Sequence, residues 1–257
     1  MALFVVIPLG MMIYFAFTTE EGGFTIQNIV KISQYTPIFI KSINLAIIAT
    51  VICFILSFPL AYLLSRSSAS YQNTMIMLIM LPMWMNFLLR TYGWMTLLEN
   101  EGLINHFLSF FHIGPFHMIN TPGAVVLGMV YNYLPFMILP LYSVMAKIDQ
   151  SVIEAAQDLG CNTTKVILKV LFPMSIPGMV TGVTMVFVPS VSTFIISRML
   201  GGGQNMMVGD LVEQQFIGST YNPYMGSAMS LILMVIMLVV MGIMSSLDDD
   251  EMEGLVI

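Results

Sequence analysis

The segment EAAQDLGCNTTKVILKVLFP, Glu154 to Pro173, is polar and closely punctuated, yet its chain is 58% hydrophobic and only 9% charged. The runs on either side are long, apolar and almost free of charge. Ser151 stands three residues before Glu154, the capping-box spacing in which the serine accepts a free helix N–H and the glutamate reaches back. Val152, Ile153, Ala155, Ala156 and Leu159 continue a short helix. Gly160 sits where a left-handed residue ends one. Asn162 is placed to cap a second helix, whose Val166, Ile167, Val170 and Leu171 form one apolar stripe. Pro173 then stops or kinks it. The segment therefore predicts helix, glycine turn, helix. A first helix of about eight residues spans roughly 12 Å and is unstable alone in water, so it must pack on its own bundle or on a partner. Glu154 and Asp158, four apart, share a face, and Ala155 and Ala156 let another backbone approach. A well-capped loop with no partner fits the same residues, because capping alone explains Glu154.

Outward from this segment, six runs approach the roughly 20 apolar residues that a spanning helix needs. They are residues 1–17, 43–64, 75–98, 123–145, 177–196 and 225–247. None alternates with the period of two that a membrane barrel requires, and a helix satisfies its own backbone in lipid. The expected fold class is an all-α integral membrane protein, one transmembrane domain over residues 1–257 with six transmembrane helices. The first run has no basic flank and no cleavage site, which reads as a retained span.

Lysines and arginines in short loops set orientation. Arg66, Lys147, Lys165 and Lys169 fall on one side, against Lys31, Lys41 and Arg198 on the other. This places 147–176 and both termini in the cytoplasm. The external loops are then 18–42, 99–122 and 197–224, and the second has the apolar spacing of a short interfacial helix. Only 8 residues are Lys or Arg and no basic patch forms, so no nucleic-acid partner is expected. Two cysteines, Cys53 and Cys161, support neither a disulfide framework nor a metal site. His106, His112 and His117 share a loop without zinc spacing, and the 26 methionines read as packing residues, with no metal expected. The chain lacks the phosphate-cradling loop: LGGGQNMM has no lysine at the required place.

The polar segment resembles the EAA signature of bacterial ABC importer permeases. Glu154, Ala155 and Ala156 are followed by three residues and Gly160, and nine residues later come Val170, Leu171, Phe172 and Pro173. Val170 and Phe172 depart conservatively from isoleucine and leucine. The phrases LPMWMNFLLRTYGW, EGLIN, TPGAVVLGMVYNYLPFMILPLY and LGGGQNMMVGDLVEQQF look like the spermidine/putrescine permease subfamily, of the first-permease type. The resemblance covers about residues 40–235. It implies the type I ABC importer permease fold, with cytoplasmic coupling helices in the EAA loop at 147–176. It implies a non-catalytic permease subunit of the bacterial cytoplasmic membrane that forms half of the translocation path for polyamines. It further implies two ATP-binding subunits, a second related permease in a heterodimer, and an extracytoplasmic substrate-binding protein. ATP and Mg belong to the partner ATPase, and this chain carries no cofactor. The implied docking residues are Glu154, Ala155, Ala156, Asp158, Gly160 and Pro173.

Candidates for the translocation path are Asn86, Arg90, Pro189, Ser190, Ser192 and Thr193. Arg90 is a charge inside a span, either a pathway residue or strut, or a side chain snorkelling outward. Its charge repels a polyamine, which favours a structural or gating role over ligand contact. Pro189 frees a carbonyl that hydroxyls can satisfy, while small polar residues also pack helices together. Pro135 and Pro140 read as kinks. Asp210, Glu213, Glu99 and Glu101 lie in external loops, as solvated charges or as attraction for a cation. Other readings are a permease for another small solute, an intramembrane enzyme, or a stand-alone secondary transporter. The enzyme needs a catalytic set within the spans, and the predicted spans hold no His, Asp or Glu. The secondary transporter needs coupling acids or an internal repeat, and neither is visible.

Overall fold

The computed structural model describes residues 2–19, 21–218 and 220–254, with side chains from residue 4 to 246 apart from residues 20 and 219. Its helices, in chain order, are α1 Ala2–Ala16, α2 Gln27–Ser65 and α3 Ala69–Trp84, α4 Phe87–Leu98, α5 Leu103–Phe110 and α6 Pro122–Met145. There follow α7 Gln150–Asp158, α8 Thr163–Met174, α9 Ile176–Ser192, α10 Ile195–Gly201, α11 Val208–Phe216 and α12 Pro223–Gly254. Among the described residues there is no strand, only an isolated bridge between Thr18 and Phe24. The all-α expectation is met.

Three helices are long and apolar enough to cross a bilayer, Gln27–Ser65, Pro122–Met145 and Pro223–Ser246. Counting each of two bent pairs as one span brings the number among the described residues to at most five. The first described run, Phe4–Ala16, is shorter, about 20 Å at 1.5 Å per residue. The expected single helix over 75–98 is corrected. Ala69–Trp84 and the following segment from Phe87 meet at 89°. Pro82 has no N–H to continue the ladder, so the chain tightens into a 3-10 turn at Leu81–Trp84. The expected span 177–196 also ends early, at Ser192, and Thr193 and Phe194 interrupt it before α10. Pro135 and Pro140, expected as kinks, lie within the continuous helix α6.

The chain divides into two compact units. The first comprises residues 1–46, 91–128 and 191–241. Its core joins Ala16, Ile32 and Phe39 to Val208 and Leu211 of α11 and to Met225, Ala228 and Met229 of α12. Polar groups here are satisfied in pairs, as burial demands. Lys41 Nζ donates to Asn205 Oδ1 at 2.8 Å, and Asn205 Nδ2 donates to the Asn120 carbonyl at 2.8 Å. The Val208 N–H donates to Ser42 Oγ at 2.9 Å. The glycine run closes on Asn120: Gly202 has φ +59, and a Cβ there would stand 2.0 Å from Asn120 Oδ1. Asn105, buried at the foot of α5, fastens the adjoining loop through the Glu99 carbonyl and both backbone groups of Phe116.

The second unit comprises residues 47–90, 129–190 and 242–257. Its helices α6 and α9 meet through glycine. A Cβ at Gly178 would lie 2.9 Å from the Pro140 carbonyl, and one at Gly182 would lie 2.7 Å from Met137 Sδ. These glycines are four apart, the spacing that lets membrane helices pack backbone to backbone.

Candidate docking segment and translocation face

The polar segment forms α7 and α8 of the second unit. α7 starts two residues earlier than the capping box requires. Asp149 takes the extended boundary conformation, φ −60 and ψ 140, without a side-chain cap bond. Ser151 therefore lies inside the first turn and does not cap. The far end follows expectation. Gly160, at φ +84, is the left-handed residue. Its N–H donates to the Gln157 carbonyl at 2.8 Å, and the Cys161 N–H donates to the Ala156 carbonyl at 3.1 Å. These two bonds constitute a Schellman closure. Asn162 Oδ1 accepts the Lys165 N–H at 2.9 Å and caps α8.

Pro173 lies one residue before the end of α8, so the stop or kink expected there is met. A π turn at Ile167–Leu171 precedes it, a wide turn that absorbs the bond proline cannot donate. The helix continues to Met174, then bends 70° into α9. Buried Ser175 sits at the bend, its hydroxyl donating to the Leu171 carbonyl at 2.6 Å.

α7 has two distinct faces. Ile153 is buried with Ile148, Val166 and Leu171, and Ala156 packs against them. Glu154, Ala155, Asp158 and Gly160 are exposed. Leu159 is 87% exposed beside them. Pro173 is half-buried within α8. Of the residues read from the signature, Glu154, Ala155 and Asp158 therefore share the free face, while Ala156 serves the packing.

Sequence reasoning missed how this segment is held to the spans. Arg66, at the end of α2, donates to the Ile148 carbonyl at 3.0 Å and to the Met145 carbonyl at 3.3 Å. It binds the last carbonyl of α6 and one on the link into α7. Tyr142 donates to Gln72 Oε1 at 2.9 Å, tying α6 to α3. Phe172 of α8 packs on Phe54 and Phe58 of α2, with ring centroids at 6.4 and 5.9 Å. Only Arg66's position at a span end hinted at this in the sequence. The Gly178–Gly182 spacing was also readable and was passed over.

The proposed path residues do not form one site. Asn86 caps α4, its Oδ1 accepting the Leu88 N–H at 2.8 Å. Arg90 and Pro189 line one cavity of about 590 Å³ with Met83, Phe87, Asn132, Tyr133, Phe136 and Met185. Ser190 is buried and bonds its own helix at the Val186 carbonyl, 2.7 Å away. Ser192 and Thr193 belong to the first unit, where Gly209 of α11 approaches their carbonyls; a Cβ there would stand 2.3 and 2.6 Å from them.

The loop acids between α9 and α12 are not simply solvated. Arg198 pairs with both carboxylate oxygens of Glu213. Asp210 is buried and accepts the Met207 N–H at 2.8 Å at the start of α11. Burial pushes its carboxyl above the ordinary value; Ser197, the Met207 N–H and the Arg198 charge oppose that rise. His117 meets Asn100 Oδ1 at 3.0 Å. No group of three metal-ligating side chains occurs among the described residues.

Comparison with known proteins matches this architecture. The chain is 33% identical over 247 residues to the spermidine/putrescine transport system permease protein PotB of Salmonella typhimurium (strain SL1344), covering 92% of this chain and 86% of that one. It is 35% identical over 244 residues to PotB of Haemophilus influenzae, covering 91% and 85%. Among solved structures it resembles a bacterial ABC transporter involved in import of the acidic polysaccharide alginate, with a TM-score of 0.81 at 13% identity over 97% of this chain and 91% of that one. A second, of the bacterial alginate ABC transporter in complex with an alginate pentasaccharide-bound periplasmic protein, gives a TM-score of 0.75 at 13% identity over 93% and 85%. These two likenesses concern the fold. The model of the family described as binding-protein-dependent transport system inner membrane component matches residues 6–250, and this multi-pass membrane protein belongs to that family.

Proposed function

We propose that this chain is a permease subunit of an ATP-driven importer for polyamines of the spermidine/putrescine class, and that the exposed face of α7 receives a separate ATPase. The observation that carries the docking is the division of α7. Its buried face is spent on Ile148, Val166 and Leu171, while Leu159 stands 87% exposed next to the carboxylates Glu154 and Asp158. A nine-residue helix is too short to hold itself in water, and an apolar side chain beside a charged pair suits a protein groove better than solvent. The polyamine reading is supported by the names of the relatives at 33 and 35% identity.

In this reading the subunit hydrolyses nothing. Two ATP-binding subunits carry ATP and Mg, a second related permease completes the path, and an extracytoplasmic binding protein delivers substrate. The α6–α9 loop and both termini face the cytoplasm. ATPase movement at α7 then reaches α2 through Arg66 and Phe172 and tilts the spans, exchanging access between the two sides.

The test is uptake of labelled spermidine by cells that carry the full transporter in place of their own. Glu154→Lys and Leu159→Asp should abolish co-purification of the ATPase and uptake together. Retained co-purification in both variants would remove α7 as the docking site, and uptake without competition by putrescine or spermidine would remove the polyamine assignment.

A further inference from the structure

Arg90 is a cation with no counter-ion among the described residues. Its Nε and Nη1 are shut off from solvent and have no hydrogen-bond partner. Its guanidinium carbon lies 5.9 Å from the centre of the Phe87 ring. The cavity it faces is walled largely by Met83, Phe87, Phe136 and Met185. A guanidinium cannot release its proton, and an unpaired charge in such surroundings is costly unless an anion meets it.

Among the described residues the spans offer no such anion. Residues 36–65, 69–98, 122–145, 176–192 and 223–246 contain no Asp or Glu. In the same unit, Asp149, Glu154 and Asp158 are all exposed around α7. The cavity's place along α6 disfavours lipid phosphate. Asn132, which shares the cavity, lies ten residues from the first residue of α6 and thirteen from the last. That is about 15 Å or more from either end at 1.5 Å per residue, within a hydrocarbon core about 30 Å thick. A polyamine is itself cationic and cannot serve.

We infer that Arg90 is the seat for a carboxylate carried by the second permease subunit, forming an ion pair between the two permeases near mid-membrane. The inference rests on the two-permease reading above. Charge-assisted hydrogen bonds of this kind are short and strong, and a pair at that depth is rare enough to mark a functional element. The pair would stand beside Pro189 of α9, which lines the same cavity.

The experiment uses the assembled transporter. Arg90→Glu should lower uptake strongly. Each Asp and Glu in the spans of the second permease is then changed to Arg in that background. One exchange should restore uptake by about tenfold, the coupling expected of a direct pair. Arg90→Cys with cysteine at the same acid should cross-link the two permeases under mild oxidation. If no acid rescues or cross-links while the wild-type permeases co-purify, the ion pair is overturned and the two-permease reading stands. Wild-type uptake by Arg90→Met also overturns the pair. If the wild-type chain co-purifies with no second permease, the underlying reading itself fails.

Discussion

Arg66 donates from Nη1 to the Ile148 carbonyl at 3.0 Å and from Nη2 to the Met145 carbonyl at 3.3 Å. One side chain at the end of α2 thus closes α6 and holds the link that leads into α7. Hydrogen bonds from a charged donor contribute about 1.5–3 kcal/mol each. Arg66→Met should leave α7's outer face intact, so the ATPase should still co-purify. Uptake should fall by at least about tenfold, with ATP hydrolysis persisting. Parallel assays of ATPase activity and transport in reconstituted vesicles check this; equal loss of both would assign Arg66 to docking instead of transmission.

Gly160 separates conformation from contact. A Cβ there meets nothing within 4 Å, yet φ is +84. Gly160→Val should therefore cost about 1–2 kcal/mol of backbone strain and loosen the ATPase. Gly160→Asn should be tolerated better, because asparagine visits this region more readily. Pull-down of the ATPase by the two variants ranks them.

Gly178 and Gly182 carry the α6–α9 contact. Gly178→Leu would meet the Pro140 carbonyl, part of the backbone, which cannot step aside. It should lower the thermal transition of the detergent-solubilised protein by several degrees, as overpacking costs about 1–3 kcal/mol. Gly242→Leu, with open space around it, is the control and should leave the transition unchanged. Differential scanning of the purified variants reads both.

Asp210 holds its proton more tightly when folded than when unfolded, since burial raises its pKa above the ordinary carboxylate value. The sign follows from linkage: its contribution is fully present below the unfolded pKa and is lost as pH rises through the folded one. Stability should therefore fall across the window that begins at the ordinary carboxylate pKa. Asp210→Asn should flatten that slope, seen as thermal transitions measured from pH 4 upward. An unchanged slope would mean another group titrates.

Much of this protein was legible in its residues. Apolar runs pointed to all-α membrane architecture because a backbone in lipid must bond to itself, and the order of Gly160 and Asn162 pointed to the turn between α7 and α8 because caps and breakers act locally. The local rules misread two points. Ser151 matched a capping pattern, yet α7 begins at Gln150 with Asp149 at its boundary, so the pattern lost its register by two residues. Residues 75–98 passed as one span because hydropathy is blind to direction, while Pro82 and Asn86 turn the chain through 89°.

By itself, then, the sequence determined the all-α membrane class, the glycine turn of the polar loop and the family signature it carries. All of these depend on neighbours along the chain. The tertiary structure alone decided which residues act together: Arg66 with Ile148, Tyr142 with Gln72, and Arg90 with a cavity that contains no carboxylate. The partners in the first two pairs are 82 and 70 residues apart. Such pairings have no periodicity to betray them, because they follow from how helices pack and not from how any one helix forms.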